Sequence, residues 1–360
     1  MSDSPNWSHH NPVRIISAPL VELAQHVKAS HVLLVTTPGF VRRGVVKQIS
    51  EILEDCQVSV WDGVKTNPDL QDLDTATETL RALGVGCVIG LGGGSALDTA
   101  KVLATTIASP AVPTLAAVFR EKAPAQWSRR LPLIAIPTTS GTGSEVTPFA
   151  TVWDHLKRNK YSLTGDFVFP DIALLDVNLT LTLDDENTLY PALDAISHAL
   201  ESLWNRNCTP VSRAYAFKAL ELASSALPLV LNDPENKKQR QYLQTASVLA
   251  GLAISQTRTA IAHAISYSLT LDHNIPHGLA CSFTLRVILE DHMSREKGYS
   301  KEEFNILSNM LETIKCLNID DKIRKYIDPK KLEFKDFKTL TDRSDNYNGK
   351  LSVEYVIDNC

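Results

Sequence analysis

The stretch VIGLGGGSALDTAK (88–101) joins a short apolar strand pattern to three consecutive glycines and the first turns of a helix. Glycines let the backbone approach a phosphate closely, and the N-terminus of a helix offers N–H groups and a positive dipole that hold it. The spacing departs from the G-x-G-x-x-G nucleotide motif because position 97 is Leu. Taken alone, the stretch could also be a plain strand-to-helix turn.

The same design recurs in LPLIAIPTTSGTGSE (131–145), where an apolar strand pattern leads into a loop of small hydroxyl residues and glycines. An ordinary polar loop with helix-capping residues is the alternative reading of this stretch. Two such loops after two parallel strands lie on the same edge of a sheet. That edge is where nucleotides bind in open α/β sheets.

The flanking sequence alternates between strand and helix patterns. HVLLVTTPG (31–39) and CQVSVWDG (56–63) are typical of short strands, because β-branched and apolar residues end in turn residues. VRRGVVKQISEILEDC (41–56) and NPDLQDLDTATETLRALG (67–84) have helical periodicity. This alternation predicts βαβ units and a parallel sheet that is covered on both faces.

The pattern changes near residue 185, where helical periods replace strand signals. PVSRAYAFKALELASSALPLVL (210–231) is one of several long amphipathic stretches. The charged sequence from residue 294 onward, including DPKKLEFKDFK (328–338), predicts short surface helices. We therefore expect an α/β domain over residues 1–184 and an all-helical domain over residues 185–360.

Composition narrows the class of protein. A chain of 360 residues is long enough for two domains, and its net charge of −5 gives no reason to expect nucleic acid or an anionic membrane as partners. Six scattered cysteines without a C-x-x-C pair suggest neither a disulfide framework nor a thiolate zinc site. No apolar leader and no run of about 18 apolar residues is found, so we expect a cytoplasmic protein.

Four side chains suggest a metal site. PALDAISHAL places Asp194 and His198 four residues apart, on one face of a predicted helix. Such a pair alone is more often a helix-surface interaction. HAISYSLTLDHNIPHG (263–278) contains three histidines, and the ones at its first residue and at His277 are the further candidate ligands. One carboxylate and three imidazoles form a mixed set suited to Fe(II), Zn, Ni or Mn, and they would leave the ion a Lewis acid.

The order and spacing of these motifs resemble the iron-containing (group III) alcohol dehydrogenases over nearly the whole chain, from NPVRI (11–15) to IPHG (275–278). The resemblance implies a Rossmann-like parallel-sheet domain that binds dinucleotide, followed by a helical domain that binds metal and substrate. This is the architecture also found in dehydroquinate synthase. It further implies NAD(P)H, one divalent metal (Fe²⁺ first, Zn²⁺ as the alternative) and reversible hydride transfer between an aldehyde and an alcohol. We expect a homodimer.

The resemblance also implies roles for individual residues. The metal ligands would be Asp194, His198, His263 and His277. The residues that meet the cofactor would be Gly93, Gly94, Ser95 and Asp98 at the pyrophosphate, Thr138, Thr139 and Thr142 on the nicotinamide side, and Lys160.

Three positions depart from the common family pattern. Tyr267 stands where many members have a second histidine, and a phenol is a poorer proton relay at neutral pH than imidazole. Pro191 replaces a usual glycine. Thr37 follows the first strand where members that favour NAD tend to carry Asp. Without that carboxylate, nothing there repels a 2′-phosphate, so NADPH is admissible as well as NADH.

HAISY, followed by SLT and IPHGLACS, is most similar to the phosphonoacetaldehyde reductase branch of the family. Arg258 lies five residues before His263, where ordinary members have small residues, and a guanidinium suits a phosphonate through paired, charge-assisted hydrogen bonds. A structural ion pair is the alternative role for Arg258. The proton that completes the reduction could come from Tyr267, His273 or the cofactor ribose with water.

Other functions stay open on the sequence alone. Within the family, the substrate could be a simple alcohol or aldehyde, or maleylacetate. A metal-dependent lyase of the dehydroquinate synthase type has the same domain order but needs additional basic residues around the metal. A catalytically silent binding protein is the third alternative, and the intact set of four ligands argues against it.

Overall fold

The structure, a computed structural model, describes residues 6–109, 113–328, 332 and 344–360. These residues form two compact units. One comprises 11–139 and 144–180, and the other comprises the described residues up to His10, the segment 140–143 and those from Leu181 onward. An α/β region followed by a helical region confirms the predicted fold class. The limits at 184 and 185 stay a prediction of where the functional domains divide.

The α/β unit is built on a six-stranded parallel sheet with the strand order β1-β8-β5-β4-β2-β3, and β6 pairs with β7 as a separate antiparallel hairpin. The strands are β1 (Arg14–Ser17), β2 (His31–Val35), β3 (Gln57–Trp61), β4 (Cys87–Gly92), β5 (Leu133–Pro137), β6 (Phe149–Asp154), β7 (Asn159–Thr164) and β8 (Ile172–Leu175). The helices are α1 (Pro38–Arg42), α2 (Val45–Ile52), α3 (Leu70–Arg81), α4 (Gly94–Ile107) and α5 (Leu115–Glu121).

Strand β2 shows how the sheet is covered on both faces. Its side chains alternate, so Val32 and Leu34 join one apolar cluster while Leu33 and Val35 join another. The first cluster includes Ile49 of α2, and the second includes residues of α3 and α4. All six residues of β4 are buried, as expected for a central strand of a parallel sheet.

Two features of this unit differ from the sequence expectation. The helix predicted over 41–56 is split into α1 and α2 because Gly44 adopts a left-handed φ of 78°, and α2 ends at Ile52. The hairpin of β6 and β7 was not predicted. By contrast, α3 lies within the helix predicted over 67–84 but begins later, at Leu70, and Asp69 caps it by accepting a hydrogen bond from the Gln71 N–H.

The helical unit contains α6 (Asp185–Leu203), α7 (Pro210–Asn232), α8 (Lys237–Thr257), α9 (Ile261–His273), α10 (His277–Ser282), α11 (Leu285–Arg295), α12 (Lys301–Cys316), α13 (Ile319–Ile323) and α14 (Val353–Asp358). Its described residues contain no strand beyond an isolated bridge. The prediction of short surface helices from 294 onward is wrong for α12, which has 16 residues, and α12, α13 and α14 all contribute buried residues to the central apolar cluster of this unit. Most of DPKKLEFKDFK (328–338) lies outside the described residues.

Helix α6 is the centre of this unit. Its residues from Ala192 to Leu203 are all buried, and α7, α8 and α10 pack against it. Asp184 caps its N-terminus through the Asn187 N–H. The buried guanidinium of Arg240 on α8 donates to the Thr188 hydroxyl on α6, which ties the two helices together.

Helix α7 is long and apolar enough to cross a membrane by length and composition alone, although the sequence contains no uninterrupted apolar run of that length. Core helices of soluble proteins satisfy the same criterion. Leu220, Leu227 and Val230 of α7 belong to the central apolar cluster of the helical unit, which is the position of a core helix.

Candidate metal centre

Helix α6 presents Asp194 and His198 on one face, one turn apart. Both side chains are buried, and Asp194 Oδ1 lies 3.4 Å from His198 Nε2. Burial lowers the pKa of His198 to about 4, so its imidazole is neutral at pH 7 and has a lone pair for a metal. Burial alone would raise the pKa of the Asp194 carboxyl, but the surrounding imidazoles hold it below its ordinary value.

Two further imidazoles reach the same carboxylate oxygen from other helices. Asp194 Oδ1 lies 3.3 Å from Nε2 of His263 near the start of α9 and 4.0 Å from Nε2 of His277 at the start of α10. The rings of His198 and His263 are stacked with centroids 4.8 Å apart, and the His277 ring stands edge-on to that of His263. The structure therefore brings the four predicted ligands together, while their role stays a prediction.

The donor atoms fit a shared divalent ion. Asp194 Oδ1 and His263 Nε2 are buried, and neither has a hydrogen-bond partner among the described residues. Bonds of about 2.0–2.1 Å to one tetrahedral ion place neighbouring donor atoms about 3.3–3.4 Å apart. The distances from Asp194 Oδ1 to His198 Nε2 and to His263 Nε2 are close to this value. An ion of Zn²⁺ or Fe²⁺ type would satisfy the buried atoms that protein groups leave unsatisfied.

The backbone allows this approach at Gly278, the residue after His277. A Cβ atom built on Gly278 would fall 1.8 Å from the Tyr190 carbonyl oxygen and 3.3 Å from Asp194 Cβ. Only a residue without a side chain lets α10 come this close to α6. Glycine at this position therefore helps to set the distance between His277 and Asp194.

Two residues at this centre were not predicted from the sequence. Glu201 of α6 is fully buried, and its Oε2 lies 2.5 Å from His263 Nδ1, within hydrogen-bond distance. Cys281 of α10 lies with its Sγ 3.7 Å from both ring nitrogens of His277, and it forms a compact donor group with Asp194, His263 and His277. Helical spacing could have found both, since Glu201 follows Asp194 by seven residues and Cys281 follows His277 by four.

The charge state of Glu201 follows from its neighbours. Burial raises the pKa of the Glu201 carboxyl, but His263 and the backbone N–H groups at the start of α9 outweigh it and lower the pKa below its ordinary value. The carboxylate is therefore ionised at neutral pH and acts only as a hydrogen-bond acceptor.

The three residues predicted for proton transfer or substrate binding lie in different surroundings. Tyr267 is one turn after His263 on α9, is buried, and stacks nearly parallel to the His277 ring with centroids 6.5 Å apart. His273 is the last residue of α9 and is partly exposed. Arg258 is the C-cap residue that follows α8, and its side chain is exposed. Tyr267 is thus placed beside a predicted ligand, and all three roles stay predictions.

In the α/β unit, the predicted phosphate loop has the expected form. Gly93 is the N-cap of α4 and supplies no side-chain cap, so the N–H groups of the first turn are not bonded by a capping side chain. The backbone N–H of Thr138 donates to the Gly92 carbonyl, and Thr139 Oγ1 would lie 3.2 Å from a Cβ built on Gly93. The loops after β4 and β5 therefore adjoin, as the parallel sheet predicts.

Other predicted cofactor residues make contacts of their own. The Asp98 carboxylate accepts hydrogen bonds from the Ser144 hydroxyl (2.6 Å) and the Thr151 N–H (2.8 Å), which is a structural use of this side chain. The Lys160 ammonium on β7 lies 5.1 Å from the centre of the Trp153 ring. Thr37 is the N-cap of α1, and Ser95 is in the first turn of α4. Thr142 belongs to the segment that packs in the helical unit.

Comparison with known families covers most of the chain. The profile of "Iron-containing alcohol dehydrogenase" matches residues 12–177, and that of "Fe-containing alcohol dehydrogenase family, C-terminal" matches residues 188–330.

Two curated relatives are similar over about three quarters of the chain. Sulfoacetaldehyde reductase of Bilophila wadsworthia is 33% identical over 72% of this chain and 66% of its own length. Phosphonoacetaldehyde reductase of Streptomyces viridochromogenes is 36% identical over 73% of this chain and 67% of its own length. This chain therefore aligns with about two thirds of the length of each relative.

Among solved structures, sulfoacetaldehyde reductase of Bifidobacterium kashiwanohense in complex with NAD⁺ has a TM-score of 0.87 and 26% identity. The match covers 98% of this chain and 97% of that one. An iron-containing alcohol dehydrogenase with 28% identity matches with a TM-score of 0.81, over 98% and 97% of the two chains.

Proposed function

Because the chain belongs to the iron-containing alcohol dehydrogenase family, we propose that it is an NAD(P)H-dependent reductase of a small aldehyde that carries an anionic group. Phosphonoacetaldehyde is the first candidate, and its product would be 2-hydroxyethylphosphonate. The observation that carries the proposal is the convergence of three imidazole nitrogens on Asp194 Oδ1. The same set argues against a catalytically silent binding protein.

Different residues would bind the metal ion and donate the proton in the proposed aldehyde reduction. Asp194, His198, His263 and His277 would hold the divalent ion. When bound, that ion supplies Lewis-acid polarisation of the aldehyde carbonyl, and reduced nicotinamide supplies the hydride. Tyr267 lies parallel to the His277 ring and is buried, so its phenol would lie near the carbonyl of a bound aldehyde and its burial would limit access of water. Tyr267 or His273 would donate the proton to the product oxygen.

Arg258 is the residue proposed to bind the anionic group. Its side chain is exposed, and no described carboxylate lies within ion-pair distance of its guanidinium, which weakens the alternative of a structural ion pair. Its backbone has φ 62° and ψ 179°, a conformation that is costly for any residue except glycine. Strained backbone of this kind concentrates at functional sites, and the segment leads directly into the helix of His263.

Sulfoacetaldehyde is the second candidate substrate. The curated relative and the solved structure with the TM-score of 0.87 are both sulfoacetaldehyde reductases. A sulfonate and a phosphonate present similar oxygens to a guanidinium, but only a phosphonate can carry two negative charges near neutral pH. The measurement is the ratio of kcat/KM for phosphonoacetaldehyde to kcat/KM for sulfoacetaldehyde between pH 6 and pH 8. A ratio that rises with pH would identify the phosphonate as the preferred group.

The test is a scan of NADH and NADPH oxidation with phosphonoacetaldehyde, sulfoacetaldehyde, propanal and maleylacetate, with and without a chelator. We expect turnover of the anionic aldehydes, loss of turnover on chelation and recovery with Fe²⁺ or Zn²⁺. Turnover of propanal or maleylacetate alone would refute the proposed substrate class. Absence of any cofactor oxidation, combined with a lyase activity, would refute the proposed reaction.

Substitution of Arg258 tests the substrate group. A charge-assisted pair contributes roughly 1.5–3 kcal/mol, so Arg258→Ala should lower kcat/KM for the anionic aldehyde by about ten- to a hundred-fold. Propanal lacks the anionic group and should barely respond. Arg258→Lys should recover only part of the activity, because lysine keeps the charge and loses the planar fork.

The matched control is Arg324→Ala, which removes an exposed guanidinium that pairs with Asp321 at the surface. This variant should leave both rates unchanged. Equal losses on the anionic aldehyde and on propanal in Arg258→Ala would mean that Arg258 has a structural role.

A further inference from the structure

Glu201 is a fully buried carboxylate, and its side-chain partner among the described residues is the imidazole of His263. Among the described residues no lysine or arginine forms an ion pair with it, and its hydrogen-bond donors are the Ala262 N–H (2.7 Å), the His263 N–H (3.2 Å) and His263 Nδ1 (2.5 Å). An uncompensated buried carboxylate is costly unless its charge is satisfied by good hydrogen bonds. Each of these donors belongs to the first turn of α9.

One carboxylate oxygen takes the place of a helix cap. The N-cap residue of α9 is Ala260, which has no side chain that could accept a hydrogen bond from the first turn. Glu201 Oε1 reaches across from α6 and accepts from two of the N–H groups that a capping side chain would otherwise satisfy. This contact fixes the start of α9 relative to α6, on which Asp194 and His198 lie.

The other oxygen acts on the imidazole itself. Glu201 Oε2 lies 2.5 Å from His263 Nδ1, while Nε2 of the same ring lies 3.3 Å from Asp194 Oδ1. Nε2 faces Asp194 Oδ1, so Nε2 is the nitrogen placed to bind the ion. An imidazole that binds a metal through Nε2 has its proton on Nδ1, and Glu201 Oε2 is placed to accept that proton's hydrogen bond.

We propose that Glu201 is a positioning residue of the metal centre, which sets the tautomer and the orientation of His263 as a ligand while it anchors the first turn of α9. The proposal rests on the metal site of the proposed function and is independent of the substrate. Carboxylates that hold a ligating histidine in this way typically raise metal affinity by 10- to 100-fold.

A glutamine at this position cannot reproduce the arrangement. Its side chain has one acceptor oxygen and one NH₂ group, whereas the site requires an acceptor on both sides. With the NH₂ group toward Nδ1, the ring would have to carry its proton on Nε2 and could not bind metal. With the NH₂ group toward the backbone, a donor would face the donor N–H groups of Ala262 and His263, and no hydrogen bond could form.

The first measurement uses the unmodified chain loaded with Zn²⁺ and labelled with ¹⁵N-histidine. Long-range ¹H–¹⁵N spectra report which ring nitrogen is protonated. We expect one histidine, assigned to His263 by its loss in His263→Asn, to carry a hydrogen-bonded proton on Nδ1 and metal on Nε2. Metal on Nδ1 of His263, or an unprotonated Nδ1, would overturn the proposal without any change at Glu201.

The second measurement is the Zn²⁺ dissociation constant, obtained by competition with a chromophoric chelator. Glu201→Gln should weaken Zn²⁺ binding by 10- to 100-fold. Glu201→Asp keeps the charge but withdraws the oxygens by one methylene group, and it should show a smaller loss. Glu186→Gln is the control, because Glu186 is on the same helix, is exposed, and within the described part of the chain accepts a hydrogen bond from the Tyr190 hydroxyl rather than from a predicted ligand. It should leave the dissociation constant unchanged.

A purely structural role for Glu201 gives a different result. In that case the apo and Zn²⁺-loaded forms of Glu201→Gln would lose thermal stability equally, and the dissociation constant would stay within twofold of that of the unmodified chain. This outcome would refute the positioning role. A chain that binds no divalent ion at all, with or without substitution, would instead refute the metal site of the proposed function.

Discussion

Glu145 and Lys101 are two fully buried ionisable residues in the α/β unit. Burial raises the pKa of Glu145 to about 7, and burial lowers the pKa of Lys101 to about 8. The Lys101 ammonium has partners, since it donates to the carbonyl oxygens of Thr147 and Phe149 at 2.9 Å. Both charged forms are therefore disfavoured in the folded protein, and stability should depend on pH.

The sign follows from proton binding in the two states. Between pH 4.5 and 7 the folded chain holds a proton on Glu145 that the unfolded chain has lost, so stability falls as pH rises. Between pH 8 and 10.5 the unfolded chain holds a proton that Lys101 has lost in the folded state, so stability rises again. Glu145→Gln should remove the first decrease, on the order of 1–3 kcal/mol. Thermal melts at pH 5 and pH 8 measure it, and an unchanged difference would contradict this account.

Thr37 is the residue predicted to leave room for a 2′-phosphate. It caps α1 directly after β2, and its side chain makes no capping hydrogen bond. Thr37→Asp would place a carboxylate at this sheet edge, so we expect the ratio of kcat/KM for NADPH over NADH to fall about tenfold or more. Thr37→Asn, which is similar in size and neutral, serves as the control and should change the ratio little. The same ratio in all three proteins would show that Thr37 does not face the ribose.

At the residue scale, the sequence was informative where residue type and spacing together are unusual. Asp194 and His198 on an apolar helix face, with two later histidines, are enough to suggest a metal. Glu201 was not recognised because glutamate is common on helices, and only the tertiary contact with His263 distinguishes it. The Gly-only conformation of Arg258 has no sequence signal at all.

At the scale of elements, the crossing of α6 and α10 depends on Gly278. Gly278→Ala would place a methyl group against the Tyr190 carbonyl of α6, which is backbone and cannot rotate away. We expect a destabilisation of about 2 kcal/mol or more and a fall in bound metal per chain, because His277 must move with α10. Calorimetry and elemental analysis measure the two effects.

Gly39→Ala is the matched control, since a Cβ atom there would meet its nearest neighbour, Thr37 Oγ1, at an ordinary 3.5 Å. It should leave stability and metal content nearly unchanged. Full metal content in Gly278→Ala would show that α10 can shift without losing the centre.

Elements with strong local signals were predictable. β2, β3 and α3 have clear periodicity, and α3 also has a capping residue in Asp69. The break at Gly44 was not predicted, because a glycine within a helical pattern can be tolerated or can end the helix. The β6–β7 hairpin was not predicted because its residues are mixed in polarity and its turn, residues 155–158, lacks glycine.

At the scale of the whole molecule, alternating strands and helices were sufficient to predict a parallel sheet, and the loss of strand signals was sufficient to predict a helical second half. The strand order could not be read from the sequence, because it depends on which strands pair across long separations. The placement of segment 140–143 could not be predicted from the sequence either. This segment packs in the helical unit, although the residues on both sides of it belong to the α/β unit.

That segment has a consequence for recombination between relatives. A Cβ atom at Gly141 would fall 2.5 Å from Pro191 Cβ of α6, and one at Gly143 would fall 2.5 Å from Gly251 Cα of α8. The tetrapeptide therefore packs closely against these two helices. A fragment starting at Leu181 would expose the surfaces that the tetrapeptide covers and should fold poorly. In a chimera of two relatives joined between residues 180 and 181, residues 140–143 come from one parent and the helices against which they pack come from the other. Replacing residues 140–143 with those of the parent that supplied the helices should restore soluble yield. The segments that must be exchanged together are therefore not continuous in the gene.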